Sequence, residues 1–265
     1  MSAGSLSAVT DDEEQEFQPG STLSKLYPEV GAGGYTRADG FIEFYTRVGA
    51  LLDADSEVLD FGAGRGLWAT EPLPPLHKRL RAFHERVKAV HGVDVDPVVL
   101  DNPTLESAQV IGPTGPIPYD DASFDLVVAD HVLEHVAAED AVVVAGEILR
   151  VLRPGGWLAA RTPNKWGMIG IAARAVPNGL HTRVLRRLQP ERKAEDVFPV
   201  RYAMNTRRNL RRWFPDPHRL LVYGHASEPT YFGNSVLAWR LAQLADRLTP
   251  PRLAPTLMVF VRKAG

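Results

Sequence analysis

The chain has no cysteine among its 265 residues, which excludes a disulfide framework, a thiolate zinc site and a cysteine nucleophile. It also lacks an apolar run long enough to span a bilayer, and residues 1–10 contain no Lys or Arg, so no signal peptide is expected. A large excess of one charge is missing too, because the formal net charge is −2. These absences predict a cytoplasmic protein with no nucleic-acid partner.

The composition does support one substantial hydrophobic core, since 45% of the residues are hydrophobic. Residues 1–22 are small, polar or acidic, and this composition predicts a disordered acidic tail. We expect residues 23–265 to form one domain with local additions.

The chain is organised around residues 58–66, where a short apolar run ends in Asp60 and three alternating glycines. Such a sequence predicts a strand, a tight loop and a helix start, because glycine lets the loop turn sharply and lets a ligand approach the backbone. A dinucleotide-binding loop has the spacing G-x-G-x-x-G, whereas this loop has G-x-G-x-G. The spacing favours S-adenosylmethionine over NAD. A glycine-rich turn without a ligand is the alternative at this point.

Strands and helices alternate after this loop, which predicts a parallel sheet with helices on both faces. Asp39 is predicted to cap a helix before the first strand, and later helices are predicted over residues 76–88 and 138–152. The second strand ends near Asp94, where a carboxylate can accept both ribose hydroxyl hydrogens. Asp96 is expected to cap the segment that follows.

Four stretches, residues 58–66, 91–97, 117–136 and 147–164, resemble in their order the motifs of class I S-adenosylmethionine-dependent methyltransferases of the methyltransferase-11 and methyltransferase-23 types. The resemblance implies a Rossmann-like, doubly wound α/β fold. Its seven-stranded sheet would be mostly parallel with an antiparallel last strand. The implied cofactor is S-adenosyl-L-methionine. The family's acid after the third strand is missing here, so backbone groups near Gly112 and Thr114 would replace its contact with the adenine.

The same resemblance assigns roles to individual residues. The glycines of the loop would hold the methionine part of the cofactor, Asp94 its ribose, and Asp60 would fix the loop and help to place the amino group. The predicted cofactor-binding residues are Asp60, Gly62, Ala63, Gly64, Gly66, Asp94, Val95, Gly112 and Asp130.

Residues 130–136 concentrate ionisable side chains where the fourth strand ends. One interpretation is structural, with Glu134 and His135 starting a helix. In the second, His131 or His135 takes a proton from an acceptor hydroxyl. In the third, the segment binds a divalent ion, as in methyltransferases with a Glu-x-x-Glu-His pattern, although His131 replaces the first Glu and disfavours magnesium. The predicted catalytic residues are His131, Glu134 and His135, without a metal.

Residues 165–212 are rich in arginine and predict a basic helical cap inserted between the fifth and sixth strands. Its charges suit an anionic acceptor or an anionic membrane surface, and a solvated helix face is the plain alternative.

Together these features predict a methyltransferase acting on oxygen of a small-molecule or glycan-like acceptor. The alternatives are a non-catalytic S-adenosylmethionine-binding protein, a protein at the inner face of a membrane, and an NAD-dependent oxidoreductase.

Overall fold

A computed structural model describes residues 20–167, 201–230, 233 and 235–265 of the chain. Within this part, seven strands form one sheet in the order β3-β2-β1-β4-β5-β7-β6. The strands are β1 (Glu57–Phe61), β2 (Ala89–Asp94), β3 (Ser107–Val110), β4 (Phe124–Asp130), β5 (Leu152–Pro163), β6 (Arg219–His225) and β7 (Thr256–Arg262). β7 runs antiparallel to β5 and β6, whereas the other neighbouring pairs are parallel. The predicted fold class is therefore confirmed for the sheet.

The helices within the same residues are α1 (Thr22–Leu26), α2 (Gly40–Ala50), α3 (Leu67–Thr70), α4 (Pro75–Arg81), α5 (Ala141–Val151), α6 (Arg207–Trp213) and α7 (Val236–Leu248). α2 begins as predicted, because the Asp39 carboxylate accepts hydrogen bonds of 2.9 Å from the backbone N–H groups of Phe41 and Ile42. None of these helices is long and apolar enough to cross a membrane.

Two hydrophobic clusters cover the two faces of the sheet. In α5, the buried residues recur every three or four positions, and they join α6 in the larger cluster. On the opposite face, Phe44, Tyr45 and Val48 of α2 pack with Val58, Leu126 and Val128 of the central strands. The central strands are thus buried on both sides, as expected for parallel strands.

Two predicted helix boundaries are wrong. The helix predicted over residues 138–152 begins at Ala141, because the Ala137 carbonyl accepts the Asp140 N–H in a turn, at 3.2 Å, ahead of the helix, while the Glu134 carbonyl accepts the N–H groups of Arg201 and Tyr202. The helix predicted over residues 76–88 ends at Arg81, and the chain continues as a short 3₁₀ turn, Phe83–Glu85. Glu134 and His135 therefore do not start a helix.

Two predicted segments fall largely outside the part of the chain that the structure covers. Of the acidic tail, residues 1–19 lie outside it, as do residues 168–200 of the basic cap. The described ends of the cap are residues 165–167 and the stretch from 201 through α6.

Candidate functional site

The glycine-rich loop leaves β1 with a backbone that side chains rarely adopt. Gly62, Gly64 and Gly66 have φ values of +80°, +55° and +67°. A Cβ at Gly62 would collide with Val132 and one at Gly66 with Asn102, whereas a Cβ at Gly64 would have no atom within 4 Å. The loop is therefore packed at both ends and open in the middle, which is where a ligand can approach the backbone.

The loop is fastened from both sides. The N–H groups of Gly62 and Ala63 donate to the Val93 carbonyl of β2, at 2.7 and 3.2 Å. On the other side, the buried Asn102 amide donates to the carbonyls of Ala63 and Gly64, at 3.2 and 3.1 Å. Sequence reasoning missed Asn102, since it lies some forty residues downstream in an unremarkable Asp-Asn-Pro stretch.

Asp94 stands at the carboxyl end of β2 beside the loop. Its Oδ2 accepts the Gly64 N–H at 2.8 Å and its Oδ1 accepts the Asp96 N–H at 2.9 Å. An ionised carboxylate has about four acceptor positions, so two remain for ribose hydroxyls. Asp96 accepts the Val98 N–H at 3.0 Å, and this is the capping role predicted for it.

Two further predicted residues flank Asp94. Val95 is an exposed apolar side chain, with 43% of its surface accessible. β3 pairs with β2 so that Val110 lies opposite Asp94, and Gly112 follows two residues after Val110. The Gly112 carbonyl accepts the Gly115 N–H at 3.0 Å. The structure thus brings Gly64, Asp94, Val95 and Gly112 to the ends of three neighbouring strands.

The other predicted acids, Asp60 and Asp130, belong to a buried charge cluster under the loop. The Arg161 guanidinium donates to both Asp130 oxygens at 2.8 Å, and the Tyr45 hydroxyl donates to Asp130 at 3.0 Å. Arg81 lies between the two acids, 3.6 Å from Asp60 and 3.3 Å from Asp130, and also contacts the Tyr45 hydroxyl. Two arginines therefore balance two carboxylates, as burial requires.

The two acids of this cluster respond differently to it. Burial raises the pKa of Asp60 to about 6, and Asp130 and Asp94 add to the shift, while Arg81 opposes it. Burial also disfavours the Asp130 carboxylate, but Arg161, His131 and Arg81 outweigh that effect and lower its pKa. Asp130 is thus a fixed anion, whereas Asp60 exchanges its proton near neutral pH.

His131 and Glu134 form a second centre beyond the end of β4. His131 has a left-handed backbone, with φ +59°, and its side chain is 48% exposed. Its Nδ1 lies 3.1 Å from Oε1 of Glu134, a residue only 3% exposed. Non-glycine residues in this conformation are uncommon and cluster at functional sites. His135 is half-buried nearby, with its N–H donating to the Val132 carbonyl at 2.9 Å.

Two polar residues that sequence reasoning missed hold Glu134 in place. The Thr162 hydroxyl donates to Oε2 of Glu134 at 2.8 Å, and the Asn205 amide contacts the same hydroxyl. All three side chains are almost fully buried. Thr162 and Asn205 come from β5 and from the segment before α6, so only the fold brings them to Glu134.

Across residues 20–167, 201–230, 233 and 235–265, no group of three His, Asp or Glu side chains is arranged to hold a metal ion. The polar residues at the β4 end instead pair with one another, as the His131–Glu134 contact shows.

The glycine loop, the acid beside it and the seven-stranded sheet define an α/β protein that binds a nucleotide-like cofactor at its strand ends. Residues 59–160 match the sequence model of the methyltransferase domain Methyltransf_11. This match identifies residues 59–160 as a methyltransferase domain, the sheet has the fold of class I S-adenosylmethionine-dependent methyltransferases, and S-adenosylmethionine is the cofactor.

Solved structures with the same fold include the putative methyltransferase of Haloferax volcanii in complex with the Trm112 methyltransferase activator. It is 18% identical, with a TM-score of 0.50, and the match covers 84% of this chain and 92% of that one. The [4+2]-cyclase SpnF is also 18% identical, with a TM-score of 0.50, and the match covers 92% of this chain and 93% of that one. A comparison with curated protein sequences finds no significant match.

The residues at the strand ends fit this cofactor. The open backbone at Gly64 leaves room for a ligand, and Asp94 retains acceptor positions beside it. Beneath the loop, Nε of Arg81 is a buried donor with no hydrogen-bond partner in the described part of the chain. Such a donor suits a carboxylate, and the neighbouring Asp60 suits an ammonium. The methionine part of the cofactor carries both of these groups.

Proposed function

We propose that this methyltransferase transfers the methyl group to a hydroxyl oxygen of a small-molecule or glycan-like acceptor. The observation that carries the proposal is the contact between the exposed His131 ring and the buried Glu134 carboxylate at the end of β4. A hydroxyl is a weak nucleophile, so its methylation gains most from a base at this position.

The chemistry divides between the two centres. S-adenosylmethionine, when bound, supplies an electrophilic methyl group on sulfur. An ionised Glu134 accepts the Nδ1–H of His131 and thereby leaves Nε2 as the basic nitrogen. Nε2 lies 3.9 Å from Asp130, which is too long for a hydrogen bond, so it remains able to accept a proton from an acceptor hydroxyl. The Asp130 charge nearby stabilises the imidazolium that forms.

On the donor side, we assign the methionine part to the loop residues Gly62, Ala63, Gly64 and Gly66, with Asp60 and Asp130 near its amino group. Asp94 is assigned to the ribose, and Val95 and Gly112 to the adenine. The open Gly64 backbone and the exposed Val95 support these roles. The basic stretch of residues 165–212 is assigned to acceptor selection, because arginine suits an anionic acceptor.

The experiment that tests the function measures S-adenosylhomocysteine formation with labelled S-adenosylmethionine and a panel of hydroxyl, amine and carbon acceptors. We expect turnover with hydroxyl acceptors, lost in His131→Gln and in Glu134→Gln while cofactor binding is kept. Turnover with amines alone, retained in both variants, would contradict oxygen as the acceptor.

A second candidate is a cofactor-binding protein without methyl transfer. This candidate is supported by the fold that the chain shares with a [4+2]-cyclase, because proteins of one fold can catalyse different reactions. The distinguishing result is cofactor binding without S-adenosylhomocysteine formation from any acceptor or cell extract.

A further inference from the structure

The solvent-facing side of α7 consists of leucine and arginine. Leu237, Leu241, Leu244 and Leu248 are 69%, 59%, 52% and 76% exposed. Arg240 and Arg247 are exposed between them, so the six residues share one stripe along the helix. A helix of a globular domain normally turns its leucines toward the core. In α7, the four leucines face solvent instead.

α7 packs on the domain through other residues than these leucines. Trp239 is the buried residue of the helix, its indole N–H donates to the Gly233 carbonyl at 2.7 Å, and its ring meets the edge of Tyr27 at 6.3 Å. Alanines fill much of the remaining inner side. The four leucines therefore form an apolar surface that the described residues leave exposed, a feature typical of interaction sites.

Positive charge surrounds this surface. Within the described residues, Arg240, Arg247 and Arg252 have no carboxylate partner, although many other arginines of the chain do. Asp246, the acid of α7, is partly buried on the inner side. The leucine stripe is thus flanked by cations that are not paired with any acid among the described residues.

The positive region continues beyond α7. Arg207 and Arg211 of α6 line a cavity of about 410 Å³ beside β6. Burial, together with repulsion by Arg211 and Arg252, lowers the pKa of Arg207, so Arg207 lies close to both of these guanidinium groups. Arg252 follows Leu248 by four residues and links this cluster to the leucine stripe.

We propose that α7 docks onto an anionic lipid bilayer, with its four leucines in the boundary of the acyl chains and its arginines on the headgroups. Exposed leucines interleaved with arginines are typical of interfacial helices. A second copy of the chain fits less well. The 13 residues of α7 span only about 20 Å, and one such row falls short of the roughly 800 Å² per partner of a stable interface. The two Arg residues per helix would also repel their counterparts in many pairings.

The test is co-sedimentation of the full chain with vesicles of phosphatidylcholine alone and of phosphatidylcholine with about one third phosphatidylglycerol. The wild type should pellet with the anionic vesicles, and less with the neutral ones. Replacing Leu241 and Leu244 by Glu should lower partitioning at least about tenfold, because each loses apolar burial and adds repulsion. Arg240→Gln with Arg247→Gln should reduce the preference for anionic vesicles.

Val142→Glu is the matched control, since Val142 is a 60% exposed apolar residue on α5, and it should pellet like the wild type. All variants should keep the S-adenosylmethionine affinity of the wild type, which separates this inference from the proposed function. A wild type that stays in the supernatant, or a Leu241→Glu, Leu244→Glu variant that pellets equally, overturns the proposal. So does a wild-type dimer that this double variant converts to monomers, because the leucines then meet a second copy.

Discussion

The proposed donor and acceptor halves of the site are built in different ways. The donor half, at the ends of β1 and β2, depends on backbone shape: three glycines with positive φ and a loop tied to Val93. The acceptor half, at the ends of β4 and β5, depends on side chains: His131, Glu134 and the residues around them. In this proposal a rigid backbone holds the cofactor, whereas a few oriented side chains act on the acceptor.

The largest effect is expected from a substitution that affects the acceptor half alone. His131→Gln removes the base, so kcat should fall by about 10²- to 10⁴-fold while the affinity for S-adenosylmethionine stays unchanged. Steady-state kinetics and calorimetry measure the two quantities. His218→Gln is the control, because His218 binds the backbone of Ala264 near the chain end, and it should keep both values. A loss of cofactor affinity in His131→Gln would contradict the separation of the two halves.

The next largest effect is expected from a substitution in the donor half. Asp94→Ala should weaken S-adenosylmethionine binding by about 10- to 100-fold, because it removes charge-assisted acceptors from the ribose and from the Gly64 N–H. Titration calorimetry gives the Kd. Asp96→Ala removes an equal charge two residues away, where the side chain caps a 3₁₀ turn, and should change the Kd little. Equal effects of the two variants would argue against the ribose role of Asp94.

A smaller effect is expected from the charge cluster beneath the loop, which lies between the two halves. Since burial raises the pKa of Asp60 to about 6, Asp60 is protonated below this pH and must lose its proton to face the cofactor ammonium. S-adenosylmethionine affinity should therefore rise as the pH rises through 6. Asp60→Asn should bind more weakly and without this pH step. A flat profile for the wild type between about pH 5 and pH 7.5 would remove Asp60 from the ammonium site.

The smallest effect concerns the support of the loop. Asn102→Ala leaves the carbonyls of Ala63 and Gly64 without their buried donor, so the free energy of unfolding should fall by about 1–3 kcal/mol. Chemical denaturation measures it. Cofactor affinity should weaken only several-fold, since the glycines themselves remain. An unchanged unfolding free energy would show that solvent replaces Asn102.

The same contrast explains which features the sequence predicts. The strand, the loop and Asp94 lie within 40 residues and follow from local rules on apolar runs, glycine and strand ends. Thr162, Asn205, Arg81 and Arg161 meet the predicted acids only through the sheet and its helices. Local rules also misplaced the start of α5, because they do not reveal the turn in which the Ala137 carbonyl accepts the Asp140 N–H ahead of the helix.

The most direct test of the account is a titration of S-adenosylmethionine into Gly64→Arg, compared with the wild type and with Gly146→Arg. Gly64 has φ +55° and faces open space, so an arginine there strains the loop and fills the proposed ligand position. Gly146 is an exposed position in α5, and the same replacement there leaves the loop untouched. We predict that Gly64→Arg loses measurable binding while Gly146→Arg binds like the wild type. Wild-type affinity in a folded Gly64→Arg would contradict the placement of the cofactor at this loop.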